Sequence, residues 1–181
     1  TTIDGLNGVD LSCIALDHQS NLWIGGQSPY GFLQVYDMRK RESLESFDFG
    51  LTSILDIQLK GMTAWVLFQQ GVDIGLMKFI YNDGWQYRDS YSNYPEGSGG
   101  VNCFTSNDST VYIGMNDGLF SASINDNMKD PDSWSEMIPE LEQEITSIKL
   151  NENQVVFTTN NGLFEYDLTN NILNEIEFSF E

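Results

Sequence analysis

Two cysteines, one histidine and 27 carboxylates are the residues of this 181-residue chain with chemistry to offer. Cys13 and Cys103 invite a disulfide or metal reading. His18 stands alone in "DHQSN" (17–21), where a solvated turn is the plain expectation. Without a second histidine or a cysteine pair at ligand spacing, no zinc site is expected. A serine-hydrolase triad would need His18 as its base, and no "GxSxG" elbow precedes a helix. Asp126, Asp130 and Asp132 in "NDNMKDPD" depart from the calcium-loop spacing and read as a surface loop. Asn107 in "NDST" is a glycosylation acceptor only on a eukaryotic secretory route. Glycoside hydrolysis needs two acids facing each other across a sugar, and the sequence singles out no pair. The expectation is a protein that is not an enzyme, with no catalytic residue, metal or cofactor.

The elements that carry these residues repeat. The phrase "NLWIGGQSPYGFLQVYD" (21–37) returns as "TAWVLFQQGVDIGLMKF" (63–79), "TVYIGMNDGLFSAS" (110–123) and "QVVFTTNNGLFEYD" (154–167). Aligned on the glycine opening the second half, Gly31, Gly75, Gly118 and Gly162 are 44, 43 and 44 residues apart. Aligned on the large residue before it, Trp23, Trp65, Tyr112 and Val156 are 42, 47 and 44 apart. Two markers with one period identify a repeat.

Each unit divides into four short β-patterned pieces bounded by Asn, Asp and Gly turns. They fall at 11–17, 21–26, 31–37 and 42–48; at 51–59, 63–68, 74–81 and 85–91; at 101–106, 110–115, 118–124 and 133–138; and at 145–150, 154–159, 162–168 and 172–178. No segment keeps a 3.6-residue apolar period. Pro131 and Pro139 forbid one long helix in the only contender, leaving room for a single turn near 139–144. Four-stranded meanders at this period predict an all-β, β-propeller-type fold of four four-stranded antiparallel blades, at about 11–48, 51–91, 101–138 and 145–178. The large second-strand residues should fill the space between blades. Register places Cys13, Ser53, Cys103 and Ser147 at one small-residue position, so the cysteines are expected buried and unpaired.

"DGLNGVDLSCIALDHQSNLWIGG" (4–26) resembles the repeat of two-component regulator propellers. The likeness rests on Asp4-Gly5-Leu6, Asp17, Leu22-Trp23-Ile24-Gly25 and Tyr36-Asp37. It continues in Tyr112-Ile113-Gly114 with Gly118-Leu119, and in Gly162-Leu163 with Tyr166-Asp167. The second unit keeps Trp65 but has Val66-Leu67 where the pattern has Ile-Gly. The resemblance implies an extracytoplasmic (periplasmic or cell-surface) bacterial sensor or surface protein. Members typically close with seven or eight blades. Four therefore suggest a half-ring completed by a second copy or by the rest of a larger protein, against a self-closed four-bladed ring or an open arc.

The net charge of −19, with eight Lys+Arg against 27 Asp+Glu, should repel nucleic acid and anionic membranes. Arg39, Lys40 and Arg41 form the one basic run, expected as a solvated turn. No apolar run approaches the ~18 residues of a membrane span. The start, without Met or a basic-plus-apolar leader, reads as that of a processed or excised segment.

In a blade, the turn between second and third strands emerges on the same face as the connection to the next blade. On that face the candidate ligand-binding residues are Gln27, Tyr30, Gln69, Gln70, Tyr91, Tyr94, Asn116, Asp117, Asn160 and Asn161. Tyr, Gln and Asn suit polar or carbohydrate ligands through stacking and amide hydrogen bonds. The function expected is non-catalytic ligand binding or protein interaction. The alternatives are a structural piece recruiting another chain through its blade edges, and a glycan-active enzyme.

Overall fold

The computed structural model describes residues 5–177. Asp4 of the "DGL" motif and Phe178, the expected end of the last strand, lie outside the described residues. The chain is all-β, with four four-stranded antiparallel sheets. Blade 1 is β1 (Asp10–Leu16), β2 (Leu22–Ser28), β3 (Gly31–Asp37) and β4 (Glu42–Leu51). Blade 2 is β5 (Ser53–Lys60), β6 (Thr63–Gln70), β7 (Asp73–Tyr81) and β8 (Trp85–Tyr91). Blade 3 is β9 (Val101–Ser106), β10 (Thr110–Met115), β11 (Gly118–Ser123) and β12 (Ser135–Glu136). Blade 4 is β13 (Ile145–Asn151), β14 (Gln154–Thr159), β15 (Leu163–Asp167) and β16 (Ile172–Glu175). Every sheet is a meander in sequence order. Blades 1 and 2 form one compact unit, 1–92, and blades 3 and 4 another, 93–181.

Strand pairing refines the repeat. Trp23, Trp65, Tyr112 and Val156 are equivalent, as the spacing predicts: each lies two residues before Gly25, Leu67, Gly114 or Thr158, which pair with Leu33, Leu76, Leu119 and Leu163. The shared third-strand residue is therefore a leucine. Gly31 is one residue ahead of the other three glycines, because Phe32 holds their position. The first strands need a larger correction. Cys13, Asp56, Cys103 and Ser147, not Ser53, stand opposite Gly25, Leu67, Gly114 and Thr158. In each of these strands an irregularity precedes that position, at Ser12, Leu55, Asn102 or Thr146; what misplaces Ser53 is the likeness of Thr52-Ser53-Ile54 to Thr146-Ser147-Ile148, which pairing sets three places apart. The helical turn also moves. Pro131–Ser133 is a 3-10 turn begun by Pro131 and capped by the Asp130 carboxylate, which accepts from Asp132 N at 3.1 Å. Residues 139–144 form no helix, but a turn stands at their start, with Leu141 N donating to the Ile138 carbonyl (3.0 Å).

In the first unit, Trp23, Leu33 and Val35 of blade 1 pack on Ile54, Ile57, Val66, Met77 and Phe79 of blade 2. Trp23 sits edge-on to Phe79 and Trp85, with ring centres 5.4 and 5.0 Å away. Its indole N–H is buried without a hydrogen-bond acceptor. Asp17 ties the same two blades together. Its buried carboxylate accepts from Gln19 N (2.9 Å), Asn21 N (2.8 Å) and Trp85 Nε1 (3.1 Å). His18 beside it is exposed, its ring edge-on to Tyr81 at 4.6 Å. In the second unit the pattern recurs: Tyr112 and Leu119 of blade 3 pack on Ile145, Ile148, Val155, Phe157 and Phe164 of blade 4.

In both units the two blades meet over a glycine. A Cβ added to Gly25 would come within 2.5 Å of Ile54 Cγ2, and one on Gly114 within 2.5 Å of Ile145 Cγ2. A branched side chain of the following blade thus fills the notch that the missing side chain leaves.

The Tyr-Asp pairs close turns. Asp37 accepts from Arg39 N and Lys40 N, and Asp167 from Thr169 N and Asn170 N. Hydrogen bonding, from the Lys40 backbone foremost at Asp37 and the Asn170 side chain foremost at Asp167, holds both carboxyls below their ordinary range. Asn107 plays a similar part, accepting from Ser109 N and Thr110 N.

Overpacking the notch sets a testable expectation. Gly25→Ala should lower stability by about 1–3 kcal/mol in chemical denaturation, the usual range for overfilling a packed core. Ile54→Ala in the same chain should recover part of that loss, because the added methyl then has room. Strictly additive effects would show that the two residues do not meet.

Candidate functional site

Within each blade the turn between its second and third strands is stitched to the segment entering its first strand. In blade 1, Gln27 Nε2 donates to Asp10 Oδ2 (2.8 Å). In blade 2, Gln70 Nε2 donates to the Phe49 carbonyl (3.3 Å), Ser53 Oγ to Gln69 Oε1 (3.3 Å), and Gly71 N to Thr52 Oγ1 (2.8 Å). In blade 3, Asn116 N donates to the Gly100 carbonyl (3.2 Å), and Asn102 Nδ2 to Asn116 Oδ1 (3.0 Å). In blade 4, Asn160 Nδ2 donates to Glu144 Oε2 (3.1 Å) and Asn161 Nδ2 to Gln143 Oε1 (3.0 Å). The expected side-by-side emergence of these segments is thus seen blade by blade. The amides picked out for ligand binding hold the loops together.

The aromatic candidates divide in the same way. Tyr91 is half-buried against Trp65 (5.9 Å between ring centres), while Lys78 Nζ lies 5.2 Å from the Trp65 ring centre. Burial holds the Lys78 ammonium below its ordinary range and lifts the Tyr91 phenol above its own, with Asp89 and Tyr87 adding to the latter. Tyr94 packs edge-on against buried Trp134 at 5.3 Å, and Trp134 Nε1 donates to the Met128 carbonyl. Tyr30 alone is open, 78% exposed, on the rim of a cavity of about 210 Å³ with Asn7, Phe32, Ser46 and Asp48.

Asp117 reaches a larger site within the second unit. A groove of about 640 Å³ runs between the loop 95–98 and the later half of blade 3, with Phe120 of β11 in its wall. Its charged lining is Glu96, Asp117, Glu136 and Glu142. Pairing of β11 with β12 brings Glu136 opposite Phe120, and Pro139 leads the chain back to Glu142. Three of these acids escaped the sequence reading. They lie in the irregular half of blade 3, where no periodicity marks which side chains converge. The groove's charged groups are all acceptors, so it suits a ligand presenting hydroxyl or ammonium donors. Among the described residues no group of three or more His, Cys, Asp or Glu is placed to hold a metal ion. No described helix is long and apolar enough to cross a membrane.

Sheets of four strands, meandering and stacked glycine-to-isoleucine, define the chain as β-propeller blades. Solved structures agree. The Swd1 β-propeller domain of Myceliophteria thermophila matches with a TM-score of 0.66 at 15% identity, over 83% of this chain and 48% of that one. PorZ, described as an essential bacterial surface component of the type-IX secretion system of Porphyromonas gingivalis, gives 0.68 at 14%, over 96% and 28%. The extracellular domain of a putative one-component system from B. thetaiotaomicron gives 0.62 at 14%, over 95% and 23%. The chain spans from about a quarter to a half of the length of these three, and the likeness is one of fold. No family model and no curated protein matches the chain.

The two cysteines form no disulfide, as expected, but are half-buried rather than buried. Each touches the notch glycine, Cys13 at Gly25 and Cys103 at Gly114. Burial, the main cause, pushes the Cys13 thiol up to about 11, so it is protonated at neutral pH. Cys13 should accordingly react with a thiol reagent at pH 8 far more slowly than in denaturant, since the thiolate is the nucleophile. Equal rates with and without denaturant would contradict this burial.

Proposed function

We propose that the chain is a non-catalytic ligand-binding module of an extracytoplasmic bacterial sensor or surface protein, with the acidic groove of the second unit receiving the ligand. The groove carries the reading: a concave site where two loops meet, with one aromatic wall and four carboxylates. A polar, hydroxyl-rich ligand such as an oligosaccharide fits it, its hydroxyls donating to the acids and an apolar ring face lying on Phe120. The bacterial surface component and extracellular domain among the similar folds support the location, as does the likeness of residues 4–26 to two-component regulator propellers. Asn116 positions the groove's near wall through Asn102 and Gly100 and is not itself a ligand contact.

Calorimetry and product analysis against a panel of neutral and amino-sugar oligosaccharides test the proposal. Binding without turnover is expected. Asp117→Ala, which removes an exposed carboxylate, should weaken it by about tenfold, as losing one charged hydrogen bond does. Turnover would replace the reading with that of a glycan-active enzyme. No binding to any member would leave assembly through the blade faces as the function.

A further inference from the structure

We propose that the outer face of blade 1 docks on the outer face of blade 4 of a second copy of this chain, with β1 taking the place that the following blade's first strand takes within each unit. Register makes Leu11 equivalent to Ile54 and Ile145, and Ile14 equivalent to Ile57 and Ile148. In blades 2 and 4 those residues are buried against the preceding blade, with Ile54 over Gly25 and Ile145 over Gly114. In blade 1 they are open: Leu11 is 47% exposed, Ile14 63% and Leu16, next along the strip, 57%.

The rest of that face is already closed. Gln34 stands where Met77, Phe120 and Phe164 stand in the other blades. It is fully buried, donating to the Gly5 carbonyl (2.6 Å) and accepting from Asn7 N (3.1 Å). The segment entering blade 1 thus seals the polar centre and leaves one apolar strip along β1. A strip of three large aliphatic side chains in a row is not how a soluble chain ordinarily presents a strand to water.

Blade 4 holds the complementary face. Val156, Thr158 and Leu163 occupy the places of Trp23, Gly25 and Leu33, the trio that receives the next blade in the first unit. All three are only half-buried. Beside them runs a groove of about 630 Å³ that includes Thr158, Leu163 and Ile176. A small valine in the tryptophan's place leaves space there for an incoming aliphatic side chain. Lys149 and Glu165 flank Val156, while Glu175 and Glu177 line the groove, so this face is acidic on balance and its pairing depends on apolar contact and on screening. The charge of −19 on each copy also opposes it at long range. Such a contact is heterologous, one face of a copy meeting a different face of another.

Sedimentation of the intact chain over a range of concentration and salt provides the test. Association to at least twice the 20.5 kDa of one chain is expected, strengthening as salt screens the repulsion. Ile14→Asp and Thr158→Arg should each abolish it with an unchanged circular dichroism spectrum, while Ile14→Val retains it. Mixing the two charged variants should restore association, because each supplies the face the other has lost. A wild-type chain that stays at 20.5 kDa under all conditions overturns the proposal. So does a wild-type oligomer that neither charged variant disturbs, or a mixture that fails to associate. None of these results depends on whether the groove of the second unit binds a sugar.

Discussion

Two sheets can stack only as closely as their side chains allow, and here the limit is set where one sheet has no side chain at all. Gly25 and Gly114 each receive an isoleucine from the following blade. The notch fixes how deep each incoming first strand sits, and with it the position of the large residue two places earlier. Trp23 and Tyr112 then fill the remaining space on the same face. The half-buried cysteines fit this account as well, because Cys13 and Cys103 stand directly opposite the notch glycines and add little bulk. Where the notch residue is larger, as at Thr158, that same close approach is not available.

A second constraint explains why so much of the polar chemistry in the sequence is occupied. A turn that emerges beside another segment carries backbone groups needing partners, and Asn and Gln side chains are the cheapest way to supply them. Asn116, Asn160, Asn161, Gln27 and Gln69 bond to the first strand of their own blade or to the chain just before it, and Gln70 bonds to Phe49 in the last strand of blade 1. Asp17 does the same work between blades, joining a turn of blade 1 to the indole of Trp85. Residue types that would suit a ligand thus also hold loops in place, and Gln27, Gln70, Asn116, Asn160 and Asn161 still face solvent. What stays open is defined by geometry: an exposed tyrosine at Tyr30 and an acidic groove around Asp117.

The amino-acid sequence by itself determined the β-blade architecture, the number of blades and nearly all strand positions. Period, turn residues and alternation are local, so they can be read one segment at a time. It also determined that Trp23, Trp65 and Tyr112 face inward, since a large ring at a repeated position in a meander has few other places to go. The sequence pattern did not reveal that Asp56 is the counterpart of Cys13, because Thr52-Ser53-Ile54 matches Thr146-Ser147-Ile148 residue for residue while strand pairing sets the two runs three places apart. Nor could spacing show that Gln34 is matched by the backbone of residues 5–7. Convergence of Glu96, Glu136 and Glu142 on Asp117 was likewise decided only in three dimensions. The reason is the same in each case. Periodicity reports which side of a strand a residue is on, whereas a site depends on which other segment arrives at that side, and only the packed chain settles that.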